Sequence, residues 1–320
     1  MRRGVSYAGL AGAVWGMVLM VPQVMPAFSP WLLSAVRFTL YGVISLLLAL
    51  PLAARLKAKL QRQDLLMLTV LSLVGNLLYF ILLAAAIQLV GIAPASLIVG
   101  VLPVTITLLG LKDEGALSLR QLAWPLVMVL AGIVCINIDT FALSRASDAS
   151  LLDRALGVLA ALGALASWSW FAASNARYLR QRPCFDSHEW SCLLGMVTGV
   201  MGGVLWLLGK GLGLPMVSHA VSNGQWQLFW LAAAACALGG SWLANALWYA
   251  AARRLPPTLS GQLIVFETLF ALLYGFAWLQ RWPRPLELAS IVLLLGGVAW
   301  AVRRHAAPPE PVAESALQGA

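Results

Sequence analysis

The chain alternates long apolar stretches with short polar interruptions, and most of the apolar stretches are about as long as a bilayer is thick. A hydrocarbon layer about 30 Å thick takes roughly 20 helical residues to cross. On that ruler the sequence divides into ten spans, at residues 4–21, 31–53, 64–88, 93–111, 120–138, 153–177, 189–209, 226–251, 257–279 and 286–303. The connection between the fifth and sixth spans, DTFALSRASDASLLD, is rich in Ser and Asp and reads as a linker. From His305 onward, Pro and Glu occur without apolar periodicity, which predicts a disordered tail. The first residues, MRRGVSYAGLAGAVWGMVLMV, have the basic start and apolar core of a signal peptide. The run is too long and no small-residue cleavage site follows, so it is expected to stay as the first span.

The apolar pattern repeats. A shift of 165 positions carries Gly75 onto Gly240, Leu78 onto Leu243, Leu82 onto Leu247 and Ala85 onto Ala250. Without a gap it then carries Leu108 onto Leu273, Gly110 onto Gly275 and Gly132 onto Gly297. Low complexity produces some such matches, but one offset across several spans and loops argues for duplication. The expected domains are a five-helix repeat at 1–138, a linker at 139–152, a second five-helix repeat at 153–304 and a tail at 305–320. With an odd number of spans per half, the two copies face opposite ways. Such an inverted repeat places a binding site near the bilayer midplane, where the halves meet.

Composition agrees with a membrane solvent. Hydrophobic residues make up 61% of the chain and charged ones 10%, with a mean hydropathy of +0.86, where soluble domains average about 25% charged. The fold class is therefore an all-α polytopic membrane protein of ten transmembrane helices. The net charge of +9 does not point to nucleic acid, because the basic residues sit in short groups between apolar runs. They report topology instead. Of 21 lysines and arginines, 15 fall in connections on the side of the N-terminus, five on the other side, and Arg37 within a span. That bias places both termini in the cytoplasm, with Arg281 and Arg284 as exceptions on the outer side.

Little in the chain suggests catalysis. His188, His219 and His305 fall in loops or at span ends, and neither His-Glu-x-x-His nor Gly-x-Ser-x-Gly occurs. No catalytic residue, cofactor or metal is expected. Cys135, Cys184, Cys192 and Cys236 lack ligand spacing and predict neither zinc nor a structural disulfide.

Transport chemistry has better candidates. Glu267 is an acid inside an apolar run, SGQLIVFETLFALLYG, where an ionised carboxylate costs about 2.5 to 3.5 kcal/mol on translocon scales. It shares a helical stripe with Ser260 and Tyr274 at intervals of seven. The acid can take a proton or a substrate amine, or tie helices together. Arg37 in span two is the candidate partner for a substrate carboxylate or for Glu267; alternatively its stem reaches the outer interface. Span eight sets Ser241, Trp242, Asn245 and Tyr249 on one broad face with Trp248 adjacent, and span three offers Asn76 and Tyr79. These amides and rings suit an amphipathic ligand, although interfacial aromatic belts need none. Trp15, Ser167 and Trp170 are weaker candidates. Pro103 removes a backbone donor in mid-span four and predicts a kink or hinge there. Gly12 with Gly16, and Gly195 with Gly199 and Gly203, have the spacing of close helix contacts. The residues alone describe a carrier for a small amphipathic solute in the lipid bilayer, with a monomer as the expected state. A channel is the rival reading, but a single acid without a charged ring fits a carrier better.

Several of these residues together resemble a known family. They are Trp15-Gly16 of span one, Arg37 of span two, Pro103 in VLPV of span four, Glu114 followed by Leu117-Ser118, and Glu267 of span nine. The chain resembles the drug/metabolite transporter superfamily with paired EamA-type halves, and within it the bacterial YddG-type aromatic amino acid exporters. The resemblance implies a multi-pass protein of the bacterial inner membrane that exports aromatic and other apolar amino acids by alternating access. A multidrug or other metabolite exporter is the alternative on the same scaffold. The chain departs from the family at two places: Thr268 follows Glu267 where Pro is frequent, and Gln280 stands near a missing acid after span nine. The halves are therefore expected to bend differently.

Overall fold

A computed structural model describes residues 2–109, 119–139, 150–252 and 263–306. Among them nearly everything is helical, and the one extended pairing is an isolated bridge between Phe28 and Val217. The helices are α1 (Arg2–Val24), α2 (Pro30–Ala49), α3 (Ala53–Lys59), α4 (Arg62–Leu71), α5 (Tyr79–Val90), α6 (Ile92–Val99), α7 (Leu102–Leu109) and α8 (Leu119–Ile138). They continue with α9 (Leu151–Gln181), α10 (Ser187–Gly211), α11 (Asn223–Ala235), α12 (Ala244–Ala252), α13 (Val265–Trp278) and α14 (Pro285–Ala306). Six continuous helical stretches are long and apolar enough to cross a membrane, and four shorter apolar ones accompany them. Each expected span has helix at its place. His305 and Ala306, expected in the tail, belong to α14; residues 307–320 and linker residues 140–149 lie outside the described residues.

The polar interruptions supply helix starts. Ser150 with Asp153, Asp186 with Glu189, and Ser222 with Gln225 form reciprocal capping boxes that satisfy the free N–H groups of α9, α10 and α11. Pro30 begins α2, where its missing N–H costs nothing.

Two helices carry a π-helical segment in mid-run, Ser72–Leu78 between α4 and α5, and Cys236–Leu243 between α11 and α12. The 165-residue shift superposes them. A π segment bonds i to i+5 and leaves backbone carbonyls exposed to new partners. Here the partners are reciprocal: Ser167 of α9 donates its hydroxyl hydrogen to the Val74 carbonyl, and Trp15 of α1 donates Nε1–H to the Gly240 carbonyl at 2.9 Å.

α2 and α10 form the antiparallel spine. A Cβ built on Gly199 would lie 2.3 Å from Gly42 Cα, one on Gly195 would strike Ser45, and one on Gly209 would strike Trp31. Small residues thus let the backbones approach in a bilayer, where packing has to replace the hydrophobic effect. The third close glycine of the row is Gly202, whose Cβ would fall 2.9 Å from Thr39 N, and not the expected Gly203, which meets nothing within 4 Å. A turn of 3.6 residues brings positions i, i+4 and i+7 onto one face, and i+8 lies beside them. Gly12 and Gly16 do sit against a neighbour, the Phe266 and Phe270 region of α13.

The two ends of this spine are closed by different chemistry. At one end Lys59 pairs with buried Glu189 at 2.6 Å, and Arg182 pairs with fully buried Asp64 at 2.8 Å while donating to the Lys59 carbonyl. Tyr178 also donates to Asp64, at 2.6 Å. At the opposite end Ser29 N–H donates to Met216 O and Ser218 N–H to Ala27 O, around the Phe28–Val217 bridge. Phe28 stacks on Phe229 there and meets the edge of Trp226. Arg281 and Arg284, which run against the charge bias, both pair with Glu287, and Arg284 also pairs with Asp139. Hydrogen bonding to the Glu287 carboxylate raises the Arg281 pKa above its ordinary value.

Candidate functional site

The expected kink lies one turn before Pro103. Pro103 has no N–H to offer the Val99 carbonyl, and the helix breaks at Gly100 and Val101, where Val101 N–H tightens onto Ile98 O before α7 starts at Leu102. The second half breaks at the matching place without a proline. Ile264 stands in a turn, Glu267 N–H bonds back to its carbonyl at 2.9 Å, and α13 starts at Val265. The expectation that the halves bend differently is thus corrected in position, although only one break has a proline. Glu267 falls in the first turn of α13, where free N–H groups and the helix dipole favour a negative charge. The two breaks touch: a Cβ on Gly100 would meet the Thr268 hydroxyl at 2.9 Å.

Beside these breaks lies a cavity of about 500 Å³. Both π segments open onto it, through Gly75 and Asn76 on one side and Gly240 and Ser241 on the other. Its walls carry two aromatic groups of the same reciprocal construction. Trp15 of α1 and Trp248 of α12 have centroids 5.6 Å apart; Tyr79 of α5 and Trp168 of α9 are 6.4 Å apart, with Phe171 beside Trp168. Toward the Lys59 end the cavity reaches Asn175, Trp190 and Ser191. There Trp190 Nε1–H donates to Asn175 Oδ1 at 2.7 Å and stacks on Tyr178, which joins the wall to the Asp64 ion pair. Phe28, Trp226 and Phe229 at the other end are not part of the wall.

Of the residues singled out from sequence, Glu267, Arg37, Asn76, Tyr79, Asn245 and Trp15 all line this one cavity. Asn76 donates to Thr198 Oγ1 at 3.0 Å, and Asn245 donates to the Ser241 carbonyl at 2.7 Å within its own helix. The Arg37 guanidinium lies over the Phe80 ring and donates to Ser241 Oγ, so it points into the bundle and not to the outer interface. Trp170 and Trp242 are corrections: they are 39% and 37% exposed and absent from the wall, because each lies on the outward face of its helix. Tyr274 is also absent from it. The side chain of Tyr249, the side chain of Pro103 and all of Ser260 and Glu114 lie outside the described residues. Sequence reading missed Trp168, Phe171 and Asn175. Their signal was a stripe at i, i+3 and i+7, which favours Trp168 over Trp170.

Comparison with known proteins places this geometry. The model of the EamA-like transporter family matches residues 155–303. The chain is 34% identical over 323 residues to the inner membrane protein YtfF of Escherichia coli strain K12, covering 98% of both chains. A solved structure, described as the crystal structure of a protein, shares the fold with a TM-score of 0.62 at 20% identity, over 94% of this chain and 98% of that one.

Proposed function

Because the chain belongs to the EamA-like transporter family and is a multi-pass inner-membrane transporter, we propose that it exports aromatic and other apolar amino acids by alternating access. The observation that carries this reading is the cavity itself: about 500 Å³, walled by two aromatic groups, with one carboxylate, Glu267, at a helix start. Rings supply flat apolar surface with a few polar atoms. A carboxylate among them suits a substrate ammonium, or a proton exchanged for it. The resemblance to YddG-type exporters supports the same substrate class.

In this reading the ten spans form two inverted five-helix repeats, residues 1–138 and 153–304, with both termini in the cytoplasm. The reciprocal bonds from α1 to the second π segment and from α9 to the first support the pairing of the halves. The Lys59–Glu189 end then faces the cytoplasm and the Phe28–Val217 end the outside. Purified protein in vesicles is expected to support saturable counterflow of labelled phenylalanine and tryptophan, with weaker flux of threonine. No amino acid flux above empty vesicles refutes the proposal, and flux of a lipophilic cation alone favours a multidrug exporter. Repeating the measurement with and without an imposed pH gradient decides proton coupling.

A further inference from the structure

Among the described residues Arg37 makes no direct ion pair. Its guanidinium lies 4.3 Å from the Phe80 ring centroid and 5.0 Å from that of Phe38, and its hydrogen-bonding partner is Ser241 Oγ at 3.3 Å. Nε is buried and unpartnered, and among the described residues no carboxylate approaches Arg37 within 4.0 Å. A guanidinium offers five donors in a planar fork, and the ring faces repay only part of the cost of taking it out of water. Arg37 lies on α2, which packs against α10, and it lines the same cavity as Glu267.

We propose that Arg37 is the carboxylate-recognising residue of the cavity, with Ser241 beside it, while Glu267 faces the substrate's ammonium. The assignment rests on the transport of amino acids argued above. Together the two side chains make a site that is neutral in sum but polar, and a zwitterion matches both poles. An amine alone would leave Arg37 unpaired, and a carboxylate alone would face Glu267. Arg37 is chosen over lysine for the reason that makes guanidinium common at carboxylates: two parallel N–H donors fix the orientation of a planar anion.

The test combines variants of the protein with variants of the ligand. Binding of phenylalanine, phenethylamine and 3-phenylpropionate is measured on purified wild type, Arg37→Gln, Arg37→Lys and Ser241→Ala, each first checked for a monodisperse elution profile. Wild type is expected to bind phenylalanine more tightly than either analogue. Arg37→Gln is expected to weaken phenylalanine roughly ten- to a hundredfold, the range for losing a hydrogen bond to a charged group, and to leave phenethylamine within about twofold. Arg37→Lys and Ser241→Ala are expected to fall between. Equal losses for phenylalanine and phenethylamine overturn the proposal and make Arg37 structural; so does phenylalanine binding that Arg37→Gln leaves unchanged. If Arg37→Gln does not fold, the wild-type ligand series decides: phenethylamine bound as tightly as phenylalanine overturns it. Wild type that binds none of the three, and none of the other amino acids, refutes amino acid transport itself.

Discussion

Gly199 and Gly203 are one turn apart on α10, and alanine in each should separate packing from composition. A methyl group on Gly199 would stand 2.3 Å from Gly42 Cα, 3.0 Å from its nitrogen and 3.4 Å from its carbonyl carbon. Carbon atoms rest about 3.5 to 4.0 Å apart, so α2 and α10 have to separate by more than 1 Å, by that rule, at their closest point. The obstacle is backbone, so no flexible side chain can swing away. Overpacking a tight contact costs about 1 to 3 kcal/mol, and the upper half of that range is expected here because the spine meets along its length. Gly203→Ala meets nothing within 4 Å and should be neutral, or gain up to about 1 kcal/mol from helix propensity. Unfolding of both variants in mixed micelles of increasing denaturing detergent, followed by tryptophan fluorescence, gives the difference directly. If Gly199→Ala unfolds within about 0.5 kcal/mol of Gly203→Ala, inside the usual scatter for neutral surface changes, the close approach of α2 and α10 is not what holds the halves together.

Three further outcomes follow from the site and the two ends. Glu267→Gln should lower counterflow of phenylalanine at least tenfold and flatten its dependence on pH; unchanged rate and pH profile would show that the acid has no part in transport. Arg182→Met leaves fully buried Asp64 without its cation and should cost about 3 to 5 kcal/mol in the same unfolding assay, with Asp64→Asn in the Arg182→Met background recovering part of it. No loss in the single variant would mean that water, not Arg182, compensates the carboxylate. Phe28 and Val217 are the non-hydrogen-bonded partners of their bridge, about 4.5 Å apart between Cα atoms, within disulfide reach. Phe28→Cys with Val217→Cys, in a chain whose Cys135, Cys184, Cys192 and Cys236 are replaced by serine, should stop counterflow when oxidised and restore it when reduced. Full counterflow by the cross-linked protein would mean that this end need not part during transport.

The apolar ruler located the helices because membrane thickness constrains length and little else, so even coarse hydropathy finds them. Side-chain direction was harder to read. Glu267, Arg37, Asn76, Tyr79 and Asn245 could be singled out because polar atoms are conspicuous against hydrocarbon. Tryptophan carries no such contrast: Trp170 and Trp242 look like Trp168 and Trp248 in composition and differ only in the angle at which they leave the helix. Between Trp242 and Trp248 that angle is altered by the second π segment, which a period of 3.6 does not anticipate. The break before α13 was hidden for a different reason. Proline announces the break at Gly100, whereas Ile264 has no residue that forbids helix, and the matched position in the repeat was the only available sign.

The π segments also act on rotational phase. One surplus residue turns everything beyond it by about 100° relative to an uninterrupted helix, so Arg62–Leu71 and Tyr79–Val90 are two helices sharing an axis but not an azimuth. The same holds for Asn223–Ala235 and Ala244–Ala252. A straight helix can present one stripe to the centre of the bundle along its whole length; a dephased one presents a different stripe on each side of the segment. That lets Leu68 and Leu71 pack as core before the first segment while Tyr79 and Leu83 face the cavity after it. Each of these long helices therefore serves two neighbourhoods, a sealed one and a hollow one, and the changeover lies at Asn76 and Ser241.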